Sequence, residues 1–222
     1  MKTFRIAPEG GVSIAHLPGQ FMHISVPIPD GDRPHTRRSF TIASAPTETG
    51  LLQITVKRNP AGTVSNFLHQ QARVGDGFDL RAPFGRFTFT EGRASRILFI
   101  GGGSGVTPLR AILRYICDRR VPVEAVLLDF NRQVDDIIFH REFQDMAAVH
   151  TTVRVHFALT DPGPTWQGLA GRIRADLLDQ TLKGFEPEIV YLCGPPLMMD
   201  VSNQLLLTRG IRPEQIVSES FG

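Results

Sequence analysis

Near the middle of the chain an apolar run opens straight into glycine: Ile97-Leu98-Phe99-Ile100-Gly101-Gly102-Gly103-Ser104-Gly105-Val106-Thr107-Pro108. Four consecutive apolar residues bounded by glycine read as a fully buried strand. The stretch Thr107–Arg119 then reads as a helix, with Leu109, Ile112, Leu113 and Ile116 on one face. Pro108 falls in its first turn, where the missing N–H costs nothing. A strand–glycine–helix unit of this kind lets backbone N–H groups approach a phosphate closely, and the helix N-terminus adds partial positive charge. It points to binding of a dinucleotide pyrophosphate. Two rivals are excluded by the residues themselves. No Gly-Lys-Ser/Thr is present, so the turn is not a nucleoside triphosphate loop. Around Ser104 the second glycine of a nucleophile elbow is missing, so Ser104 is not a hydrolase nucleophile.

After the turn the chain alternates: strands at Val123–Leu128, Thr152–Leu159, Ile189–Cys193 and Ile216–Ser218 are separated by helices at Asp135–Ala147, Ile173–Thr181 and Leu197–Arg209. That alternation predicts a doubly wound parallel sheet. Before the turn the pattern is different. Phe21–Val26, Arg38–Ile42 and Leu51–Lys57 are short β-branched and apolar runs, divided by Pro27-Ile28-Pro29-Asp30-Gly31 and Asn59-Pro60-Ala61-Gly62, with a short helix at Val64–Gln71. Such spacing predicts an antiparallel barrel or sandwich. The chain is therefore read as β plus α/β, with residues 1–93 and 94–222 as two domains joined across the polar stretch Glu91–Ser95.

Composition removes several classes of function. A net charge of +2 over 222 residues, with its densest basic cluster only Arg33–Arg38, gives no reason to expect nucleic acid. The two cysteines, Cys117 and Cys193, are too few for a disulfide framework or a four-thiolate iron–sulfur cluster. The seven histidines show no His-x-x-x-His or Cys-x-x-Cys pairing, so no metal site is expected. No segment is long and apolar enough for a membrane span, and no signal sequence is recognisable, which suggests the cytoplasm.

The glycine run resembles the nicotinamide-dinucleotide segment of the ferredoxin–NADP reductase superfamily, and further motifs occur in that family's order. Arg38-Ser39-Phe40-Thr41 resembles its Arg-x-Tyr-Ser/Thr flavin motif. The resemblance implies Arg38 on a flavin phosphate, Phe40 packed on the flavin ring and Thr41 near flavin N5. Phe in place of Tyr keeps the stacking and loses a hydroxyl. Gly62-Thr63-Val64-Ser65-Asn66-Phe67-Leu68 resembles Gly-x-x-Ser-x-x-Leu, a helix start that receives the flavin pyrophosphate. An ordinary capped helix accounts for Thr63 equally well. Gly75-Asp76 and Pro83-Phe84-Gly85-Arg86-Phe87 match the family's exit from the barrel and read as turns. Cys193-Gly194-Pro195-Pro196 resembles the loop beside the nicotinamide, and Glu219-Ser220-Phe221 the ending near the flavin ring. The family's barrel usually has another strand ahead of the segment matching Thr3–Ile6, so a trimmed barrel or a fragment of a longer chain is expected.

By that resemblance the chain is an NAD(P)H-dependent flavoprotein reductase that passes electrons singly to a separate acceptor: a ferredoxin, a flavodoxin or an oxygenase component. FAD is favoured over FMN because the Gly-x-x-Ser helix start suits a pyrophosphate. The expected catalytic residues are Thr41, Cys193 and Glu219. The expected cofactor contacts are Arg38, Ser39, Phe40, Thr41, Gly62, Thr63, Val64 and Ser65 for the flavin, with Phe221 covering its face. For the nucleotide they are Gly103, Ser104, Gly105, Thr107, Pro108, Asn131, Arg132, Cys193, Gly194 and Pro195. NADH and NADPH both remain open, because Asp129 and Arg132 pull in opposite directions. A reductase of free flavin or ferric chelates uses the same sites. A flavin-binding electron-transfer subunit is a further alternative, and an iron–sulfur domain following Gly222 another.

Overall fold

A computed structural model describes residues 1–27 and 35–221. Most of the separator at 28–31 and the start of the basic cluster, Arg33 and Pro34, lie outside the described residues. The first part of the chain carries β1 (Lys2–Ile6), β2 (Phe21–Pro27), β3 (His35–Thr41), β4 (Leu52–Val56), α1 (Thr63–Gln70) and β5 (Asp79–Phe84). These form two antiparallel sheets, β1–β4 and β3–β2–β5. Alternation along β2 explains its place: Met22, Ile24 and Val26 are buried while Phe21, His23 and Ser25 face outward. The buried set meets Leu52, Ile54 and Val56 of β4 and Val64, Phe67 and Leu68 of α1 in one core. Where β3 ends, Ile42 N–H donates to Gln20 O at 2.9 Å and Ala43 N–H to Gln53 O at 2.7 Å, which carries the chain from one sheet to the other.

Beyond the polar stretch come β6 (Arg96–Gly102), α2 (Val106–Arg119), β7 (Glu124–Asn131), α3 (His140–Val149), β8 (Val153–Leu159), β9 (Leu169–Ala170), α4 (Ala175–Leu182), β10 (Ile189–Cys193), α5 (Pro196–Thr208) and β11 (Ile216–Glu219). All six strands are parallel, in the order β11-β10-β6-β7-β8-β9. One apolar cluster covers each face of this sheet, α2 and α3 on one side, α4 and α5 on the other. The strand order reverses between β6 and β10. The crevice beyond their carboxyl ends is where such sheets take ligands.

Several elements depart from the expectation, the two-residue β9 among them. The helix expected over Asp135–Ala147 is split: a 3-10 turn at Val134–Asp136, then extended Ile137, then α3 starting after Phe139, whose φ is +60°. The break lets Ile137 and Ile138 turn into the interior. Chain expected as turn or left unassigned forms β5, an edge strand whose Pro83 needs no ladder donor. The segment preceding the first expected strand is paired as well: β1 runs antiparallel to β4 from Lys2↔Val56 to Ile6↔Leu52. Among the described residues, no helix is long and apolar enough to cross a membrane.

Candidate dinucleotide and flavin clefts

The glycines after β6 are required first by packing. A Cβ on Gly101 would lie 2.9 Å from Leu109 Cδ1, and one on Gly102 would lie 2.6 Å from Met198 Sδ. A Cβ on Gly105 would overlap the carbonyl of Cys193, so the glycine turn and the Cys193-Gly194 loop touch backbone to backbone. Gly103 is different: nothing surrounds it, but its φ is +53°, a backbone conformation glycine adopts without strain. The turn thus brings the ends of β6 and β10 together and leaves Gly103 open to the crevice.

Two clefts adjoin this turn. The first, about 450 Å³, is lined by Gly102, Gly103, Asn131, Arg132, Pro195 and Met198 among others. The second, about 530 Å³, is lined by Phe21, Ser39, Phe40, Thr41, Ser65 and Ser104, with Thr107, Glu219 and Phe221. Gly103 borders one cleft and Ser104 the other, while Lys57, just beyond β4, borders both.

In the second cleft, two side-chain oxygens are buried without any hydrogen-bond partner: Thr41 Oγ1 and Glu219 Oε2. A buried orphan of this kind costs free energy unless a ligand completes it. Burial pushes the Glu219 carboxyl above the usual carboxylate range. Cys193, fully buried and in register with Glu219 on the next strand, has its thiol pushed up, by burial first and by Glu219 second. Burial disfavours the anion at both groups, and Cys193, as a buried neutral thiol, is no nucleophile. At the start of α1, Gly62 is the N-cap and no side chain caps the helix, so Thr63 does not perform that role. Ser65 Oγ instead accepts from Asn59 N–H at 3.1 Å. Those free N–H groups, the aromatic sides Phe40 and Phe221, and the orphaned Thr41 hydroxyl fit a flavin with a diphosphate tail.

The expected residues divide accordingly. Ser39, Phe40, Thr41, Ser65, Glu219 and Phe221 meet in the flavin cleft, and Gly103, Asn131, Arg132 and Pro195 in the nucleotide cleft. Ser104 and Thr107 border the flavin cleft rather than the other, with Thr107 Oγ1 donating to Ser104 O at 2.7 Å. Gly105 and Gly194 shape the contact between the two loops, and Pro108 and Val64 are buried in helix packing. Arg38 is exposed, donates to the Arg37 carbonyl and lines neither cleft. Asp129 is fully buried next to Gly101, with burial raising its pKa to about 7, so it does not reach a ribose. Asn131 is turned inward, donating to Asp129 Oδ2 at 2.7 Å. Sequence reasoning missed Lys57, Phe21 and Thr55 in the flavin cleft, and Met198, Val201 and Arg172 in the other. Only Lys57, a strand-end cation just before Asn59-Pro60-Ala61-Gly62, carried a usable signal.

Residues 2–89 match the oxidoreductase FAD-binding domain family, and residues 99–204 match the oxidoreductase NAD-binding domain family. Over 225 residues the chain is 32% identical to the glycine betaine monooxygenase reductase subunit of Chromohalobacter salexigens, covering 100% of this chain and 60% of that protein. The chain therefore spans about three fifths of the curated relatives it matches first. Among solved structures, the FAD/NAD-binding domain of nitric oxide dioxygenase from Vibrio cholerae superposes with a TM-score of 0.88 at 27% identity, covering 99% of this chain and 92% of that one. The ferredoxin reductase in carbazole 1,9a-dioxygenase superposes with a TM-score of 0.82 at 28% identity, covering 99% and 64%.

Proposed function

Because the chain belongs to the ferredoxin–NADP reductase superfamily, an FAD-binding domain followed by an NAD-binding domain, we propose that it oxidises NADH or NADPH through bound FAD and delivers the electrons singly to a separate oxygenase or ferredoxin component. The observation that carries this reading is the pair of buried, unpartnered oxygens, Thr41 Oγ1 and Glu219 Oε2, in one cleft against the glycine turn. FAD, when bound, takes the hydride as a pair of electrons and releases them one at a time.

The chain's own groups hold the reactants. Thr41, Phe40 and Phe221 would hold the flavin ring, and the open N-terminus of α1 with Ser65 would hold the diphosphate. Gly102 and Gly103 would take the nucleotide pyrophosphate, with Asn131, Arg132 and Pro195 along the same cleft. Glu219, whose anion burial disfavours, would border the reacting ring, while Cys193, a buried neutral thiol at the end of β10, lines neither cleft and would act only through packing. In this reading residues 1–93 serve the flavin and 94–222 the nucleotide, in the cytoplasm. The relatives named as reductases of oxygenase systems support the choice of acceptor.

The test is an anaerobic titration of the purified, FAD-loaded chain. Bleaching of the flavin band by one nucleotide in preference to the other establishes the hydride step and identifies the donor. A flavin band that persists with both overturns the proposal in favour of a flavin-binding subunit without nicotinamide chemistry.

A further inference from the structure

Arg110 lies on α2, three residues beyond Thr107, and is 4% exposed. Its guanidinium reaches out of the parallel-sheet part into the antiparallel part. Nη1 donates to the Ala43 carbonyl at 2.8 Å and to Glu48 at 2.5 Å, and Nη2 donates to Glu48 at 3.2 Å. Nη2 also pairs with Glu142 of α3, and the guanidinium sits 5.4 Å from the centroid of the Phe139 ring. Ala43 is two residues beyond Thr41. Arg110 therefore ties the segment that carries the flavin-facing hydroxyl to the helix that begins at the glycine turn.

The link is part of a closed ring. Glu142 also meets Arg114 at 3.8 Å, Arg114 meets Asp118 at 2.8 Å, and Asp118 accepts from Thr47 Oγ1 at 2.6 Å, next to Glu48. The ring thus runs from residues 47–48 of the antiparallel part through α2 and α3 and back. Burying an arginine with two carboxylates is a poor route to stability, since apolar groups of the same volume serve as well or better. The neighbouring positions Leu109, Ala111, Ile112 and Leu113 are apolar. What an arginine adds is direction: a planar fork that accepts only one arrangement of its partners. A second observation agrees. Phe139, whose ring faces the guanidinium, is held at a φ of +60°. A bulky residue there is strained, and such strain persists only where surrounding contacts impose it.

We infer that Arg110 is a positioning residue for hydride transfer, holding the segment after Thr41 at a set distance from the glycine turn so that the two cofactor clefts stay in register. This rests on the reductase reading given above. Reacting atoms must meet at about 3–3.5 Å, and a misplacement of about 1 Å costs on the order of a hundredfold in rate.

The experiment compares the FAD-loaded chain with Arg110→Met and with Glu48→Gln, which leaves Arg110 paired to Glu142 and disturbs the fold least. Four quantities are read: flavin content, NAD+ dissociation constant, anaerobic bleaching rate at saturating nucleotide, and the long-wavelength charge-transfer absorbance of reduced flavin beside NAD+. The inference expects flavin content and the dissociation constant to hold within about threefold, while bleaching slows at least about tenfold and the charge-transfer absorbance falls in parallel. Small-angle scattering of the flavin-free chain should also broaden for both variants. Unchanged bleaching and absorbance in Glu48→Gln overturn the inference, as does a loss of flavin and nucleotide binding in proportion to rate. Should Arg110→Met not fold, Glu48→Gln decides alone. Failure of the unsubstituted chain to bleach with either nucleotide would instead strike the reductase reading itself.

Discussion

Thr41 leaves its Oγ1 buried with no partner, an arrangement that costs about 1–3 kcal/mol. Thr41→Val should therefore leave the flavin-free chain as stable as before, or about 1 kcal/mol more stable by denaturant titration, yet slow flavin reduction and weaken flavin retention. A purely structural hydroxyl would show the opposite in the flavin-free chain. Asp129 gives a pH prediction. Its folded-state pKa of about 7 lies above the ordinary 3.8, so between these values the folded chain keeps a proton that the unfolded chain has released. The associated stability is complete below about pH 4 and is lost as pH climbs through about 7. Asp129→Asn should remove that dependence, with a gain over the unsubstituted chain at about pH 8 on the order of 4 kcal/mol, read as a difference in thermal midpoint between acid and mildly basic buffers. The same burial predicts that Cys193, and Cys117 with its thiol pushed up to about 11, resist alkylation in the folded chain at neutral pH.

At the scale of elements, the strand–glycine–helix unit makes two different demands on its glycines. At Gly105 a methyl group has nowhere to go, because the Cys193 backbone occupies the space. At Gly103 there is room, and only the φ of +53° opposes a side chain. Gly105→Ala should cost several times more stability than Gly103→Ala, which should cost about 1–2 kcal/mol. Gly105→Ala should also separate β6 from the β10 loop and abolish NAD+ binding, measured by calorimetry, where Gly103→Ala only weakens it. Of these demands the sequence showed the existence and not the cause. Glycine repetition after an apolar run was enough to place the unit, but whether a given glycine answers to a phosphate, a φ angle or a neighbouring backbone is settled by β10, far along the chain.

For the whole molecule, the joint between the two parts combines apolar and charged contacts. Phe87 and Phe89, ahead of the expected boundary at residue 93, pack inside the core of the parallel-sheet part. Tyr191 of β10 stacks on Phe99 with centroids 5.5 Å apart, meets Phe87 edge-on at 5.3 Å and donates to Thr88 O at 2.9 Å. A segment spanning 94–222 expressed alone should expose the surface these residues cover and melt at lower temperature than one spanning 86–222, as measured by circular dichroism. Across the charged part, Arg110, Arg114 and Asp118 follow each other every fourth residue along α2. In sequence such a stripe reads as a solvated helix face.

The local grammar of the chain determined a good deal by itself: an antiparallel part, a parallel doubly wound part, the glycine turn, and the order of motifs that identifies the family. Each of these rests on periodicity or on a short contiguous run, and both are properties of neighbours in sequence. Only the folded chain decided the rest. It split the helix at Phe139 because Ile137 and Ile138 have an interior to enter, and it buried Asp129 beneath the turn instead of leaving it at a ribose. It left Arg38 exposed and bonded to the Arg37 carbonyl, and it drew Glu48 and Arg110, 62 residues apart, into one ion pair. These outcomes depend on which surfaces meet across the joint, and pairwise approach over long separations leaves no period in the sequence from which to read it.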